Sequence, residues 1–264
     1  IALAGTGVGK SLFMCHVAAS FLAQGLNVLY ITLEMAEERI AERIDANLLD
    51  VSMDDLHDMP KSLYEDKITK IKDKTKGQLI IKEYPTASAH SGHFRSLLNE
   101  LSLKKSFKPQ VLFIDYLNIC SSSRFKGGNI SSYFYIKAIA EELRGLAVEF
   151  DMPIFSATQT TRTGFVSTDI GLEDTSESFG LPATADFMFA LMSNEELEQL
   201  GQMKVKQLKN RYNDPSLHRS FIIGVDRAKM KLYDVENNAQ NIVDKGPEPK
   251  KIDNPYDKFS DFKV

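Results

Sequence analysis

Ala4-Gly5-Thr6-Gly7-Val8-Gly9-Lys10-Ser11 is the stretch that decides the fold of this chain. The apolar residues Ile1-Ala2-Leu3 lead into it, and a long apolar segment from Leu12 to Leu22 follows, closed by Gln24-Gly25. The order is strand, tight glycine-rich loop, helix. Glycines at 5, 7 and 9, interleaved with Thr6 and Val8, let the backbone turn and aim its N–H groups inward. Loop and helix N-terminus together then cradle the phosphates of a nucleotide. Lys10 reaches the β and γ phosphates, and the Ser11 hydroxyl holds Mg²⁺. Where the phosphate-loop pattern begins with glycine this chain has Ala4, which a strand end tolerates because no positive φ is required there. The competing reading is a glycine-rich turn that happens to precede Lys-Ser. Strand and helix in the right places count against it.

Composition narrows the partners. With 264 residues, 43% hydrophobic and 26% charged, the chain has the balance of a soluble globular protein of one large or two small domains, able to bury a sizeable core. A formal net charge of −4 gives no global basic field, so any nucleic-acid binding has to come from local loops. Cys15 and Cys120 both lie in apolar surroundings and read as reduced core residues of a cytoplasmic protein, in the host cell if the source is viral. His90-Ser-Gly-His93 has no cysteine or carboxylate partner nearby in sequence and reads as a loop with two solvated histidines, not as zinc ligands. No apolar run is long enough for a membrane span. The chain has no initiator Met and starts too close to the phosphate loop to finish a strand, so a fragment lacking its N-terminal part is expected.

Val28 to Leu33 is a continuous β-branched and aromatic run of the buried parallel-strand type, and it ends at Glu34. Ligands of open α/β sheets bind at the carboxyl ends of the strands, which puts this carboxylate beside the phosphate loop. Val111-Leu-Phe-Ile-Asp115 has the Walker B pattern: a buried strand delivers a carboxylate to the water shell of the Mg²⁺ that Ser11 holds. Pro153 to Ala157 forms a further strand ending in Thr158-Gln159. Gln159 either orients a water or senses the γ phosphate by hydrogen bonding, or it is a polar strand end with no duty.

Helices are expected over Ala36–Asn47, Met53–Asp58, Leu63–Lys76, Phe94–Lys105 and Tyr133–Phe150, and strands over Leu79–Ile81 and Phe187–Met192. Ser193-Asn-Glu-Glu196 fits a capping box. Met203 to Arg211 alternates like a strand with one polar face, and Phe221–Val225 and Lys231–Val235 finish the sheet in antiparallel fashion. The fold expected is α/β: a mostly parallel twisted sheet flanked by helices, with antiparallel C-terminal strands. Two polar, flexible loops, Ser121–Ser132 and Thr160–Leu172, fall at the ligand edge. From Glu236 onward the chain is polar, with Pro247, Pro249 and Pro255, so residues 1–235 read as one domain and 236–264 as a disordered tail.

Lys10, Glu34, Asp115 and Gln159, in that order, resemble the RecA-like ATPase core. Thr32-Leu-Glu-Met35, the strand and loop around Asp115, Glu177-Ser-Phe-Gly-Leu-Pro-Ala-Thr-Ala-Asp186 and Lys209-Asn-Arg211 extend the likeness over residues 1–235. Together they look like the C-terminal motor domain of hexameric DnaB-family replicative helicases, in the version carried by T-even-type bacteriophages. The resemblance implies an ATP-driven motor that moves on single-stranded DNA as a homo-hexameric ring. ATP or another NTP and Mg²⁺ are the implied cofactors, and a primase and a helicase loader the implied partners.

By the same resemblance Glu34 is the general base that polarises the attacking water, and Gln159 couples γ-phosphate occupancy to the loop after it. Lys209 and Arg211 resemble a pair that projects into a neighbour's nucleotide site. Tyr212-Asn-Asp-Pro215 stands where the family has Asn-Gly-Pro, and a solvated strand face stays open as the alternative. The two polar loops correspond to those that grip DNA, with Arg124, Lys126 and Arg162 as phosphate contacts. Ser178 lies in a third DNA-contacting element, where Ser176 replaces a frequent Arg and backbone N–H contacts are expected. Ordinary solvated basic residues are the alternative for the loops. Other functions fit parts of the pattern: a RecA- or KaiC-like oligomeric ATPase without unwinding activity, a nucleotide-switched binding module, and a small-molecule kinase. Glu34 counts against a pure switch, and no arginine-rich lid is evident between Ala36 and Val111 for a kinase.

Overall fold

Short runs of branched and aromatic residues, apolar on both sides, build the middle of a sheet that helices cover on two faces. The computed structural model describes residues 1–125, 130–161, 170–175, 180–214, 219–236 and 240. Its strands are β1 (Ala2–Ala4), β2 (Val28–Thr32), β3 (Leu79–Glu83), β4 (Val111–Asp115), β5 (Ile154–Gln159), β6 (Phe187–Met192), β7 (Gln202–Asn210), β8 (Ser220–Asp226) and β9 (Lys231–Asp234). They form one sheet in the order β3-β2-β4-β5-β1-β6-β7-β8-β9. Pairing is parallel from β3 through to β6 and antiparallel from β6 to β9.

The main helices are α1 (Lys10–Ala23), α2 (Glu37–Leu49), α3 (Met53–His57), α4 (Lys61–Thr75), α5 (Ser91–Lys105) and α6 (Ser132–Glu149), with short α7 (Gly180–Thr184) and α8 (Glu195–Gln199) later in the chain. Alternation along β2 and β4 sorts the core. Leu29, Ile31, Leu112 and Ile114 pack with Phe94, Leu98, Ile139 and Leu143 of α5 and α6. Val28, Tyr30, Val111 and Phe113 face Met14 and Ala18 of α1 and Ile40 and Ile44 of α2. Each such fully buried side chain contributes about 1.5–3 kcal/mol relative to exposure, so the period-two pattern on both faces holds the register.

The structure departs from the sequence expectation at three local points. Although β1 is only three residues, it is a full member of the sheet, because Ala2 pairs with Ala157 on one side and Phe189 on the other. His90 and His93 open α5 instead of lying in a loop, His93 exposed to solvent as expected and His90 half-buried. His90 is the N-cap of α5, its Nδ1 accepting from Gly92 N at 3.0 Å, and His93 Nδ1 accepts from His90 N at 3.2 Å. Imidazole takes the place of the usual Ser or Asp oxygen, which is why composition hid the cap. At α8 the cap is Asn194 alone, whose Oδ1 accepts from Leu197 N at 2.8 Å, while Ser193 Oγ is buried without a partner among the described residues.

Cys15 and Cys120 are free and buried, and burial pushes both thiols up to about 12, so they remain protonated core residues. Among the described residues no helix is long and apolar enough to cross a membrane. The tail after Glu236, Gln240 excepted, lies outside the described residues.

Candidate nucleotide site

The loop between β1 and α1 turns through Gly7 at φ 79° and Gly9 at φ 129°, two backbone positions that exclude most side chains. Gly9 immediately precedes the first turn of α1. A Cβ on Gly9 would also sit 3.2 Å from Met203 Cε of β7, so the loop rests directly on the sheet. Lys10 Nζ donates to the carbonyls of Ala4 at 3.4 Å and Gly5 at 3.1 Å. Burial lowers the Lys10 pKa, while the nearby Glu34 and Asp115 carboxylates oppose that shift. The two carboxylates favour its charged form, the form that phosphate binding would need.

Asp115 ends β4 in register with Thr32 of β2, and its carbonyl accepts from Leu33 N at 2.9 Å. The side chain is buried. Oδ2 accepts from the Tyr30 hydroxyl at 2.8 Å, whereas Oδ1 has no hydrogen-bonding partner among the described residues. Burial raises the Asp115 pKa, against the lowering influence of Tyr30, the close Ser11 hydroxyl, Arg43 and Lys10. An orphaned carboxylate oxygen beside a hydroxyl is costly as it stands. It is also the donor set a hard divalent cation takes, so the residues fit Mg²⁺.

Glu34 lies just past β2 and is exposed to solvent. The turn that carries it is stapled by Thr32: Oγ1 donates to Met35 O at 2.7 Å and accepts from Met35 N at 3.1 Å. Thr86 Oγ1 adds a bond to Leu33 O at 2.7 Å. Gln159 pairs in register with Ala4, the first residue of the phosphate loop, and its Nε2 donates to the Tyr116 hydroxyl at 3.1 Å. The fold thus brings the loop 4–11, Glu34, Asp115 and Gln159 to one edge of the sheet. Tyr30 and Tyr116, which hold Asp115 and Gln159, were not singled out by the sequence, because a strand tyrosine looks like any other core aromatic.

Lys209 and Arg211 are placed elsewhere. Lys209 pairs with Met188 at the start of β6, the end of the sheet opposite the phosphate loop. Its Nζ donates to Pro182 O at 2.6 Å and Ala183 O at 3.2 Å. Arg211 donates to Ala183 O at 3.1 Å and pairs with Asp186 at 3.3 Å. Neither is a free solvated face, and neither reaches the nucleotide site of its own chain. Arg124 lies beyond β4, where the Glu142 carboxylate gathers Ser122, Ser123 and Ser91. Its guanidinium is engaged by Glu141 at 2.5 Å. Residues 122–124 are accordingly held by side-chain bonds, and Ser121 N donates to Ala89 O at 2.8 Å. Lys126, Arg162 and Ser178 lie outside the described residues.

A parallel sheet with the phosphate-loop strand separated from the Asp115 strand by one other, and extended by antiparallel strands, defines a RecA-like phosphate-loop protein. The chain belongs to the DnaB-like helicase C-terminal domain family, which it matches over residues 1–229. It is 47% identical over 242 residues to a DnaB-like replicative helicase of Enterobacteria phage T4, covering 90% of this chain and 51% of that relative. A probable plasmid replicative DNA helicase of Chlamydia psittaci is 31% identical over 59% of this chain and 33% of its own length. The chain thus spans about half of the phage relative and a third of the chlamydial one. Among solved structures, an isolated ATPase domain superposes with a TM-score of 0.73 at 18% identity, over 89% of this chain and 84% of that one. A DnaB-like replicative helicase described with its interactions with primase gives 0.72 at 18% identity, over 89% and 57%. At that identity the likeness concerns the fold.

Proposed function

We propose that this chain is the ATP-hydrolysing motor of a replicative DNA helicase, moving along single-stranded DNA as a hexameric ring and separating duplex at the fork in the cytoplasm of its host cell. The observation that carries the reading is the split of the chemistry between two ends of one sheet. Lys10, Ser11, Glu34, Asp115 and Gln159 meet at one end, and Lys209 and Arg211 stand at the other. A site divided in this way is completed by a neighbouring copy. Lys10 would neutralise phosphate charge, Glu34 would polarise the attacking water, and Gln159 would report the γ phosphate to the segment after β5. Mg²⁺, held by Ser11 and Asp115, would neutralise phosphate charge when bound. A primase and a loader are the partners expected of such a motor. No observation favours the oligomeric ATPase without unwinding activity.

The test is the steady-state ATPase rate per subunit against protein concentration, with and without single-stranded DNA. A rate that rises with both supports the shared-site motor. A rate flat in concentration and indifferent to DNA would leave a self-contained phosphate-loop enzyme instead.

DNA contact at Arg124 has a consequence of its own. The guanidinium is held by Glu141, which also lies 3.9 Å from Lys137, so a DNA phosphate has to displace that carboxylate. Glu141→Gln is expected to tighten single-stranded DNA binding about two- to fivefold, the worth of an exposed ion pair. Arg124→Ala is expected to weaken binding and to reduce the salt slope by about 0.7, the share of a single phosphate on single-stranded DNA. Anisotropy titration of a labelled oligonucleotide at several salt concentrations checks both, and an unchanged slope would remove Arg124 from the DNA path.

A further inference from the structure

The turn between β8 and β9 returns to the outer side of the phosphate loop. Arg227, at its start, donates from Nη2 to Val8 O at 3.3 Å. Its Nη1 lies 4.0 Å from where a Cβ on Gly9 would stand, and Glu198 is a looser partner at 3.8 Å. The turn that presents it is tied down on every side. Ala228 O accepts from Met53 N at 2.8 Å, and Met230 O accepts from the Asn47 side chain. Leu232 N donates to His16 Nδ1 at 3.3 Å, and Lys229 and Lys231 pair with Asp50 at 3.2 and 2.9 Å. Met230 and Leu232 pack with Leu12 and Met203. A side chain on such a turn meets the loop from a fixed direction.

The peptide geometry gives that contact a use. In a trans peptide the carbonyl of one residue and the N–H of the next point in opposite directions across one rigid plane. A cation that holds the Val8 carbonyl on the outer side therefore turns the Gly9 N–H to the other side, toward the phosphates, and polarises the peptide in the favourable sense. Gly9, with no side chain and a positive φ, has little else to fix this plane.

We infer that Arg227 is a positioning residue for nucleotide binding: it braces the Val8–Gly9 peptide from outside, so that the loop is preformed before the triphosphate arrives. This rests on the reading of loop 4–11 as a nucleoside triphosphate site. Nothing in the phosphate-loop pattern points to residue 227, which lies far along the chain and on another element.

The experiment compares the unsubstituted chain with Arg227→Ala and Arg227→Lys. It measures equilibrium binding of a fluorescent ADP analogue with Mg²⁺, KM and kcat for ATP, and thermal unfolding without nucleotide. Loss of a charge-assisted hydrogen bond, discounted for partial exposure, should weaken nucleotide binding about tenfold in Arg227→Ala. KM should rise in parallel and by more than kcat falls, with an unchanged ligand-free unfolding temperature, and Arg227→Lys should recover most of the affinity. An unchanged dissociation constant in Arg227→Ala overturns the inference, as does a weakening matched by an equal loss of ligand-free stability. If the unsubstituted chain itself binds no nucleotide, the reading of the loop fails and the inference with it, an outcome distinct from both.

Discussion

Glu34→Gln is expected to bind ATP normally and to turn it over about 10²- to 10⁴-fold more slowly, the range that a positioned general base contributes. Binding should survive because Glu34 makes no bond to the phosphate loop. The turn that carries it is held by Thr32 and Thr86, whose partners are backbone groups that the substitution leaves in place. Glutamine keeps the size and hydrogen-bonding capacity of the side chain and removes only its ability to take a proton. Single-turnover hydrolysis together with nucleotide affinity measures this directly. A rate within tenfold of the parent, at unchanged affinity, would take the base role away from Glu34.

The second large effect is expected at Arg211. Ala4 is in register with Leu191, Leu191 with Val205, and β7 then runs on toward Arg211. At ~3.3 Å per residue, Arg211 is ~20 Å along the sheet from the phosphate loop of its own chain. On the proposed shared site it would serve the nucleotide loop of another copy. Arg211→Ala should therefore lower the ATPase rate of the assembly about 10³- to 10⁵-fold, the worth of an arginine finger. Mixing it with Glu34→Gln should restore activity, because on the proposed shared site mixed assemblies would contain some interfaces with Glu34 intact on one side and Arg211 intact on the other.

Arg211 also pairs with Asp186, so a structural effect needs its own control. Arg144 holds the same carboxylate at 3.0 Å, and Arg144→Ala perturbs Asp186 while leaving Arg211 in place. Activity should persist in Arg144→Ala. Failure of the mixture to recover would sink the shared site, whatever the single variants do.

The residues that matter most differ in how visible they were in the chain. Gly7, Gly9, Lys10 and Ser11 form one short stretch whose spacing is itself the chemistry, since the backbone dihedrals and the reach of Lys10 are local properties. Glu34 and Asp115 were legible for a related reason: each follows a continuous apolar run, and a run of that kind ends where a parallel sheet meets its ligand. β6 occupies the expected Phe187–Met192 over its whole length, and β7, β8 and β9 close the sheet in the expected antiparallel order.

Long-range pairing supplied the rest. That β5 lies between β1 and β4, that Tyr30 leaves one oxygen of Asp115 open, that Glu141 engages Arg124 and that Arg227 reaches Val8 are contacts between segments far apart in the chain. No spacing rule links such residues. The phosphate loop, the two strand-end carboxylates and the strand patterns could be read from the chain alone, because these depend on neighbours within a few residues. Which end of the sheet carries Lys209 and Arg211, and what holds each candidate group still, came from the folded chain. Those are properties of how strands pair, and pairing is settled by burial across the whole molecule.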